Sequence, residues 1–365
     1  MATFTFDNGD AIDTASFEEL AAVYDFSNPV SSFFRDRYFP DPIYLNNEDK
    51  VPVGDIKTYV PLAPAVVPTA QGRVIKDKVQ ANVDYIPAPY FKPAMTVEPL
   101  SKIDAKLQKL LQSMRVIATN AAGVPPTMQD EWEMAAAYSY FTIRKSLNAR
   151  IALMCRDALL YGKVVVQGDD NAGVTVDFGR HSDLTYSPTV AWDQAGADPY
   201  QDIKNMVKNL LEHGKRRAVD AVMPSRVFDA LSDNEKFNDK FTAARGDNAT
   251  RVFGGTFGGR EEAVLQGTID GINFWTYDAE FEKEDGTSEM MIPEDGFWLI
   301  AEVNNPLYFC MIKHRKNPAK LAMELMPYHV FSDDPSVDKF IADSSPLPVT
   351  ISKNGACGGT GFITL

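Results

Sequence analysis

Apolar or small side chains recur at Trp132, Ala136, Tyr140, Ile143, Leu147, Ile151, Met154 and Ala158, the alternating four-three spacing of one helical face. Pro125-Pro126 stops whatever precedes, Thr127 is placed to cap, and Asp130 and Glu131 suit a first turn. No glycine or proline interrupts until Gly162, the expected C-terminal stop. The pattern predicts one helix over about 127–161, roughly 50 Å long at about 1.5 Å per residue and about three times a typical globular helix. A compact enzyme rarely needs such a strut; a flat, elongated subunit does.

Upstream the period changes to two. Val79, Ala81, Val83 and Tyr85 alternate with Lys78, Gln80, Asn82 and Asp84, and Ile56, Thr58 and Val60 supply an antiparallel partner strand. Between them lies a proline-rich bend, Pro61 to Gly72. Prolines at 52, 61, 64, 68, 87, 89, 93 and 99 exclude a helix across 41–100. A lone two-stranded hairpin is marginal in water, so an arm this long is expected to lie on something else, most economically a second copy of the chain. Ile103, Leu107, Leu110, Met114 and Ile117 make a second helical stripe closed by Gly123. After the long helix, Lys163–Val166 and Val174–Phe178 flank the turn-rich 168–173 and predict a hairpin.

The character changes at Asp198-Pro199. Asp198 suits an N-cap, Pro199 the first helical position, and Gln201 a capping box; Ile203, Met206, Val207, Leu210 and Leu211 form the apolar face, ended by Gly214. Ala218–Met223 predicts a buried strand. Asp270-Gly271 and Asp285-Gly286 predict hairpins, and Phe297–Val303, Leu307–Ile312, Ala319–Met326 and Pro346–Ile351 further strands before a glycine-rich tail, Gly355–Gly361. Residues 201–313 therefore read as a compact α+β unit. At the other end, Ser16–Leu20 is able to open a short helix. Phe33, Phe34, Tyr38 and Phe39 surround Arg35 and Arg37 in a segment with little core of its own. Two readings stand side by side for that cluster: docking elsewhere, or ordinary packing onto the same chain.

Composition narrows the function. The chain has 365 residues, is 45% hydrophobic and carries a formal net charge of -14, which argues against a general grip on nucleic acid or an anionic membrane. Its start lacks the basic end and apolar run of a signal peptide, and no stretch approaches the ~20 apolar residues of a membrane span. Cys155, Cys310 and Cys357 are odd in number and widely spaced, as expected for a reducing cytoplasm without a disulfide framework. His181, His213, His314 and His329 are scattered without ligand spacing, so no zinc site, cofactor or catalytic residue is expected. Gly254–Gly259 lacks the Lys-Ser/Thr of a phosphate cradle, and Arg245-Gly246-Asp247 is a chance tripeptide. Glu280, Glu282, Glu284 and Asp285 read as a solvated hairpin. Lys313–Lys316 stands out as the dense basic cluster, read as a solvated strand end.

The order of these landmarks resembles the major capsid protein of tailed double-stranded-DNA phages, in particular the lambda head protein E family. The matching residues are Phe33-Phe34-Arg35 with Tyr38 and Phe39 followed by Ile43-Tyr44-Leu45; Tyr161-Gly162-Lys163 followed by Val176–Arg180; Val222-Met223-Pro224 with Phe228, then Ala244-Arg245-Gly246; and Lys316-Asn317-Pro318. They span about residues 30–352 as ordered landmarks, and the acidic start and the tail after Ile351 depart from the family. The resemblance implies an α+β tailed-phage capsid fold. It would comprise an N-terminal arm (1–40), an extended β-hairpin E-loop (41–100), a peripheral domain with the spine helix (101–200 and 314–342) and an axial domain (201–313 and 343–365).

It also implies a structural, non-enzymatic virion protein. This would assemble in the host bacterial cytoplasm into pentamers and hexamers of an icosahedral shell around packaged DNA, with shell expansion as a hinge and rigid-body change. A separate scaffolding protein, a portal and a cementing or decoration protein are the expected partners, with neither a membrane nor a covalent cross-link. Inter-subunit contact candidates are Phe33, Phe34, Arg35, Arg37 and Tyr38 on the arm, Tyr59, Val79, Val83 and Tyr85 on the E-loop, and Trp132 on the spine helix. The rivals are an encapsulin-like compartment and a two-domain enzyme or ligand-binding protein, which needs a pocket with convergent polar groups.

Overall fold

The computed structural model describes residues 2–5, 11–14, 32–59, 62–63, 78–97, 128–168, 171–237, 255–256, 263–283, 286–301, 304–333 and 336–365. The expected helix at Ser16–Leu20, the cap at Thr127, the stripe Ile103–Ile117, most of the bend 61–72 and Arg245–Asp247 lie outside them. A short antiparallel pair, β1 (Ala2–Thr5) with β2 (Ala11–Thr14), opens the chain. Asn8-Gly9 falls between these strands, a hairpin dipeptide that ranks with Asp270-Gly271.

Helix α1 (Phe33–Tyr38) is followed by β3 (Asp41–Leu45), β4 (Lys50–Tyr59), β5 (Lys78–Pro87) and β6 (Ala94–Val97). The long helix α2 runs Met128–Leu160, within a residue of the spacing's forecast at either end. Its stripe from Ala136 to Ala158 is buried throughout. Gly162 ends it with φ +66°, and the half-buried Arg180 side chain donates to the orphan carbonyl of Leu160. The hairpin β7 (Lys163–Gly168) and β8 (Asn171–Asp177) follows as expected.

Helix α3 (Pro199–Asn209) starts on Asp198, whose carboxylate accepts from the Gln201 amide N–H at 3.1 Å. The reciprocal half of the capping box is not made, because the Gln201 side chain instead donates to Asn205 Oδ1. Nor does Gly214 turn the chain. A wider helical turn, Leu210–Gly214, continues α3, and Lys215 takes the left-handed position at φ 57°.

Strands β9 (Asp220–Met223), β10 (Gly255–Thr256), β11 (Ala263–Ile269), β12 (Ile272–Tyr277), β15 (Phe297–Ile300) and β20 (Ala356–Gly359) form a six-stranded sheet in the order β10-β11-β12-β9-β15-β20. Only β12 and β9 run parallel. Period-two alternation divides this sheet between two cores. Val222, Trp275, Tyr277, Trp298 and Ile300 face α1 and the C-terminal half of α2. Ala221, Met223, Phe274, Phe297 and Leu299 face α3, α4 (Ser225–Asp233) and Phe362. The glycine-rich tail is thus an edge strand. A Cβ on Gly358 would stand 2.2 Å from the Phe297 carbonyl oxygen, so only glycine lets the chain lie there.

Two smaller three-stranded sheets complete the fold. One is β19-β16-β3, from β16 (Pro306–Cys310) and β19 (Pro346–Pro348); the other is β17-β18-β6, from β17 (Met326–Asp333) and β18 (Ser336–Asp343). A minor hairpin, β13 (Glu280–Glu282) with β14 (Ser288–Met290), sits where Asp285-Gly286 forecasts it. The strand expected at Ala319–Met326 is absent. That stretch is irregular, turned by Lys320 at φ 50° and held by Asn317, whose side chain bonds Ile312 and Leu321, and the strand begins at Met326. The second sheet packs on the N-terminal half of α2: Ala136, Tyr140, Ile143 and Leu147 meet Phe340 and Ala342, with the Tyr140 and Phe340 rings 5.2 Å apart.

The aromatic segment 33–39 resolves in favour of packing on its own chain. Phe33, Phe34, Tyr38 and Phe39 are buried, and Phe33 lies 5.6 Å from Trp275 and 5.0 Å from Tyr277. Arg37 reaches the wholly buried Asp220 with two bonds of 2.7 Å and covers the Trp275 ring at 4.5 Å. Removing one partner of such a pair costs about 3–5 kcal/mol, since the other is left buried without a counter-charge. Arg37→Met is therefore expected to lower the urea-unfolding stability of the unassembled chain by about that amount. Adding Asp220→Asn, which removes the lone charge and still accepts from Asn273 and Trp275, should restore part of it; an unchanged midpoint for the single variant would refute this account.

Candidate assembly surface

Strands β4 and β5 pair over ten residues each, from Lys50↔Pro87 to Tyr59↔Lys78. At about 3.4 Å per residue the ladder is roughly 30 Å long. Among the described residues no third strand joins it. Its base is anchored: Val51 is buried in the main core, with Val53, Ile86 and Ala88 packed against it. The register then sorts the remaining positions. Residues 56, 79, 81, 83 and 85, all apolar or aromatic, share one face with Thr58, whereas 55, 57, 78, 80, 82 and 84, all polar, share the other with Tyr59. Tyr85 on the apolar face is 65% exposed. The register thus brings positions 79, 83 and 85 together and sets Tyr59 apart from them.

The other candidates divide differently. Phe33, Phe34 and Tyr38 are interior, so as contacts to a neighbour they are withdrawn. Arg35 is committed to its own chain, donating to Glu324 at 2.5 Å and to Asn148 on α2 at 3.2 Å, as Arg37 is to Asp220. Trp132 lies in α2 one turn before Ala136, on the stripe that from Ala136 onward is covered by the chain's own sheet. A further exposed apolar pair, Ile43 and Tyr44, lies on β3, an edge of its sheet; Tyr44 stacks on Phe309 at 5.5 Å. Among the described residues no helix is long and apolar enough to cross a membrane.

The chemistry-bearing groups are placed as follows. Lys313 pairs with Asp49 at 2.9 Å and Lys316 lies over the Tyr328 ring, so the 313–316 cluster is built into a strand end. A second basic run, Lys215-Arg216-Arg217, is exposed and equally dense in the sequence. His314 stacks on Tyr328 at 4.2 Å, and burial lowers the pKa of His329. The other two histidines are not scattered. His181 and His213 stack at 3.9 Å, and with Asp183 they form the one metal-competent group among the described residues. Their 32-residue separation hid them, because the 3₁₀ turn Ser182–Leu184 and the end of α3 meet only in the fold. An open cleft of about 590 Å³ lies between 192–197 and 230–236, where Asp193 accepts from both the backbone and hydroxyl of Thr364.

All three cysteines are free and buried. Burial raises every thiol pKa: Cys357 to about 12, Cys310 to about 11, and Cys155 further upward. Between the unfolded thiol value of about 8.5 and these folded values, the native state holds more protons than the unfolded one. Stability is therefore expected to fall as pH rises from about 8.5. At pH 8 an Ellman assay on the folded chain should register almost no thiol, and three per chain in guanidinium; rapid labelling of the native protein would contradict this.

A family model described as phage major capsid protein E matches residues 16–360. No curated protein sequence matches the chain. Among solved structures, a protein assigned to the capsid of a prophage in E. coli CFT073 superposes with a TM-score of 0.65 at 15% identity, over 97% of this chain and 100% of that one. The capsid proteins of bacteriophage PhiM1 (TM-score 0.47, 10% identity, 99% of this chain and 92% of that) and of the Myoviridae phage XM1 (0.45, 11%, 96% and 94%) are more distant.

Proposed function

The chain belongs to the phage major capsid protein E family, and from that premise we infer how one copy engages the next. It is a structural component of a virion, a shell subunit without catalytic turnover. The observation that carries this reading is the ladder β4–β5: a two-stranded projection, anchored at its base, with an apolar face and, among the described residues, no third strand beside it. Such a hairpin is marginal alone and gains stability when a second surface covers that face. The occupant of choice is a neighbouring copy, with each E-loop lying across the adjacent spine helix.

Contacts of this head-to-tail kind are heterologous and close into rings, here pentamers and hexamers of an icosahedral shell. Many modest contacts per copy then add by multivalency. We divide the chain into arm (1–40), E-loop (41–100), peripheral domain (101–200 and 314–342) and axial domain (201–313 and 343–365). Because Phe33–Phe39 is anchored on its own subunit, any reach under a neighbour is assigned to the stretch ahead of Ser32. A scaffolding protein, a portal and a decoration protein are the expected partners, and assembly in the host cytoplasm is the expected setting.

Replacing Gly54–Val83 by a short Gly-Ser turn keeps Val51 and Ile86 in the core while removing most of the projection. The variant should keep the circular dichroism and urea midpoint of the parent yet form no shells by negative-stain microscopy. Normal polyhedral particles from it would sink the reading.

The formal charge of -14 fits a container wall that does not adhere to its contents, since like charges repel within a Debye length of ~8–10 Å. Fluorescence anisotropy with duplex DNA at ~0.15 M salt, where screening is already substantial, should show no saturable binding by the unassembled chain. A tight complex with little salt dependence would speak against this role.

A further inference from the structure

We propose that His181, Asp183 and His213 form a binding site for a borderline divalent transition ion of the zinc, cobalt or nickel kind. Three ligand atoms, one from each residue, lie within 4.8 Å of one another. Two ligands on one tetrahedral zinc stand about 3.3 Å apart, given metal–ligand bonds of about 2.0–2.2 Å. His213 Nε2 is already 3.3 Å from Asp183 Oδ2, and His181 Nδ1 is 3.7 Å from the same oxygen.

The surrounding structure holds the three backbones in place. Asn354 accepts from the His181 N–H at 3.0 Å and donates to the His213 carbonyl at 3.2 Å, so one side chain from the C-terminal segment fixes both histidines. Asn209 donates to the Asp183 carbonyl at 3.1 Å. Outer-shell contacts of this sort orient metal ligands.

The stacked rings, 15° from parallel, present their nitrogens side by side rather than at one point. Converging them takes rotation of the His181 ring, whose side chain is 46% exposed, and loss of the 3.3 Å bond from the Asp183 N–H to its Nδ1. Two imidazoles and one carboxylate select such ions over magnesium or calcium, which prefer all-oxygen sets. Water completes the coordination. The ion would tie the turn after β8 to the end of α3, joining the hairpin to the helical cover of the large sheet.

The test is equilibrium dialysis of the full chain against zinc, with cobalt absorption as the spectroscopic readout. The wild type should retain one ion per chain. His181→Ala and His213→Ala should each weaken retention by at least about tenfold, the loss that even outer-shell changes produce. His314→Ala should leave it unchanged, and Asp183→Asn supplies the same test should a histidine variant fail to fold. No retained ion in the wild type, or equal retention in the His181 and His213 variants, overturns the proposal.

Discussion

A carboxylate with no access to water stands at the centre of this subunit. Asp220 begins β9, the strand that joins β12 to β15 in the large sheet, and its side chain points into the face packed with aromatics. An isolated charge there would be prohibitive, so its neutralisation is a condition of the fold. The cation comes from Arg37, 183 residues earlier, and the indole of Trp275 and the amide of Asn273 also donate to Oδ1. Once Arg37 is fixed, so is the whole of α1. Its neighbours Phe33 and Phe34 fill the space above Tyr277, Arg35 clamps α2 to the segment leading into β17 through Asn148 and Glu324, and the Tyr38 carbonyl accepts from Asn305. Six residues thereby hold the sheet, the helix α2 and the segment leading into β17 in one arrangement.

The same arrangement roots the ladder β4–β5, which no third strand among the described residues joins. Its base enters the core that α1 organises, so the direction in which it leaves the subunit is set by buried packing at Val51. On the proposed reading, a rooted ladder with one apolar face suits a repeating contact between copies, because the register of the ladder on its neighbour would depend on its angle of departure. The helix α2 serves that geometry in a second way. Its N-terminal half packs on the β17-β18-β6 sheet and its C-terminal half on the core beneath α1, with the change between Leu147 and Ile151.

Local patterns were readable where the determining contacts lie within a few residues. The four-three stripe of α2, the Asp198 cap, the turns at Asp270-Gly271 and Asp285-Gly286 and the alternation of β5 all depend on neighbours in sequence. Each appears where the spacing places it. Asn8-Gly9, between β1 and β2, carries the same kind of signal. What sequence could not supply were pairings across the chain. The cluster 33–39 admits two readings in sequence because its partners are spread from 148 to 324. The tail 355–361 reads as low complexity because its glycines answer to the backbones of Phe297 and Tyr186 rather than to each other. The strand expected at 319–326 is absent for a local reason: Asn317 holds the Ile312 and Leu321 carbonyls and Lys320 turns the chain at φ 50°, so that pairing stops at a single bridge between Met311 and Ala322. The histidine pair belongs with the long-range cases, since no spacing rule links 181 to 213.

These failures share a direction. Sequence reading underestimates how much of the chain is committed to its own interior, since exposed-looking aromatics and glycines acquire partners only on folding. With α1 in the interior, the proposed contacts between copies fall on fewer elements, chiefly β4–β5 and the exposed edge at Ile43 and Tyr44. A subunit whose own core is satisfied can stay folded before it meets its neighbours, and contacts that are individually weak then let misplaced copies leave before a ring closes. Were Phe33 to Phe39 part of the interface instead, the unassembled chain would expose a large apolar patch together with an unpaired Asp220. Uncontrolled association would then compete with ordered closure. On the proposed reading the buried Arg37–Asp220 pair is thus as much a constraint on assembly as on folding: by drawing the aromatic segment inward, it leaves the contact between copies to the β4–β5 ladder.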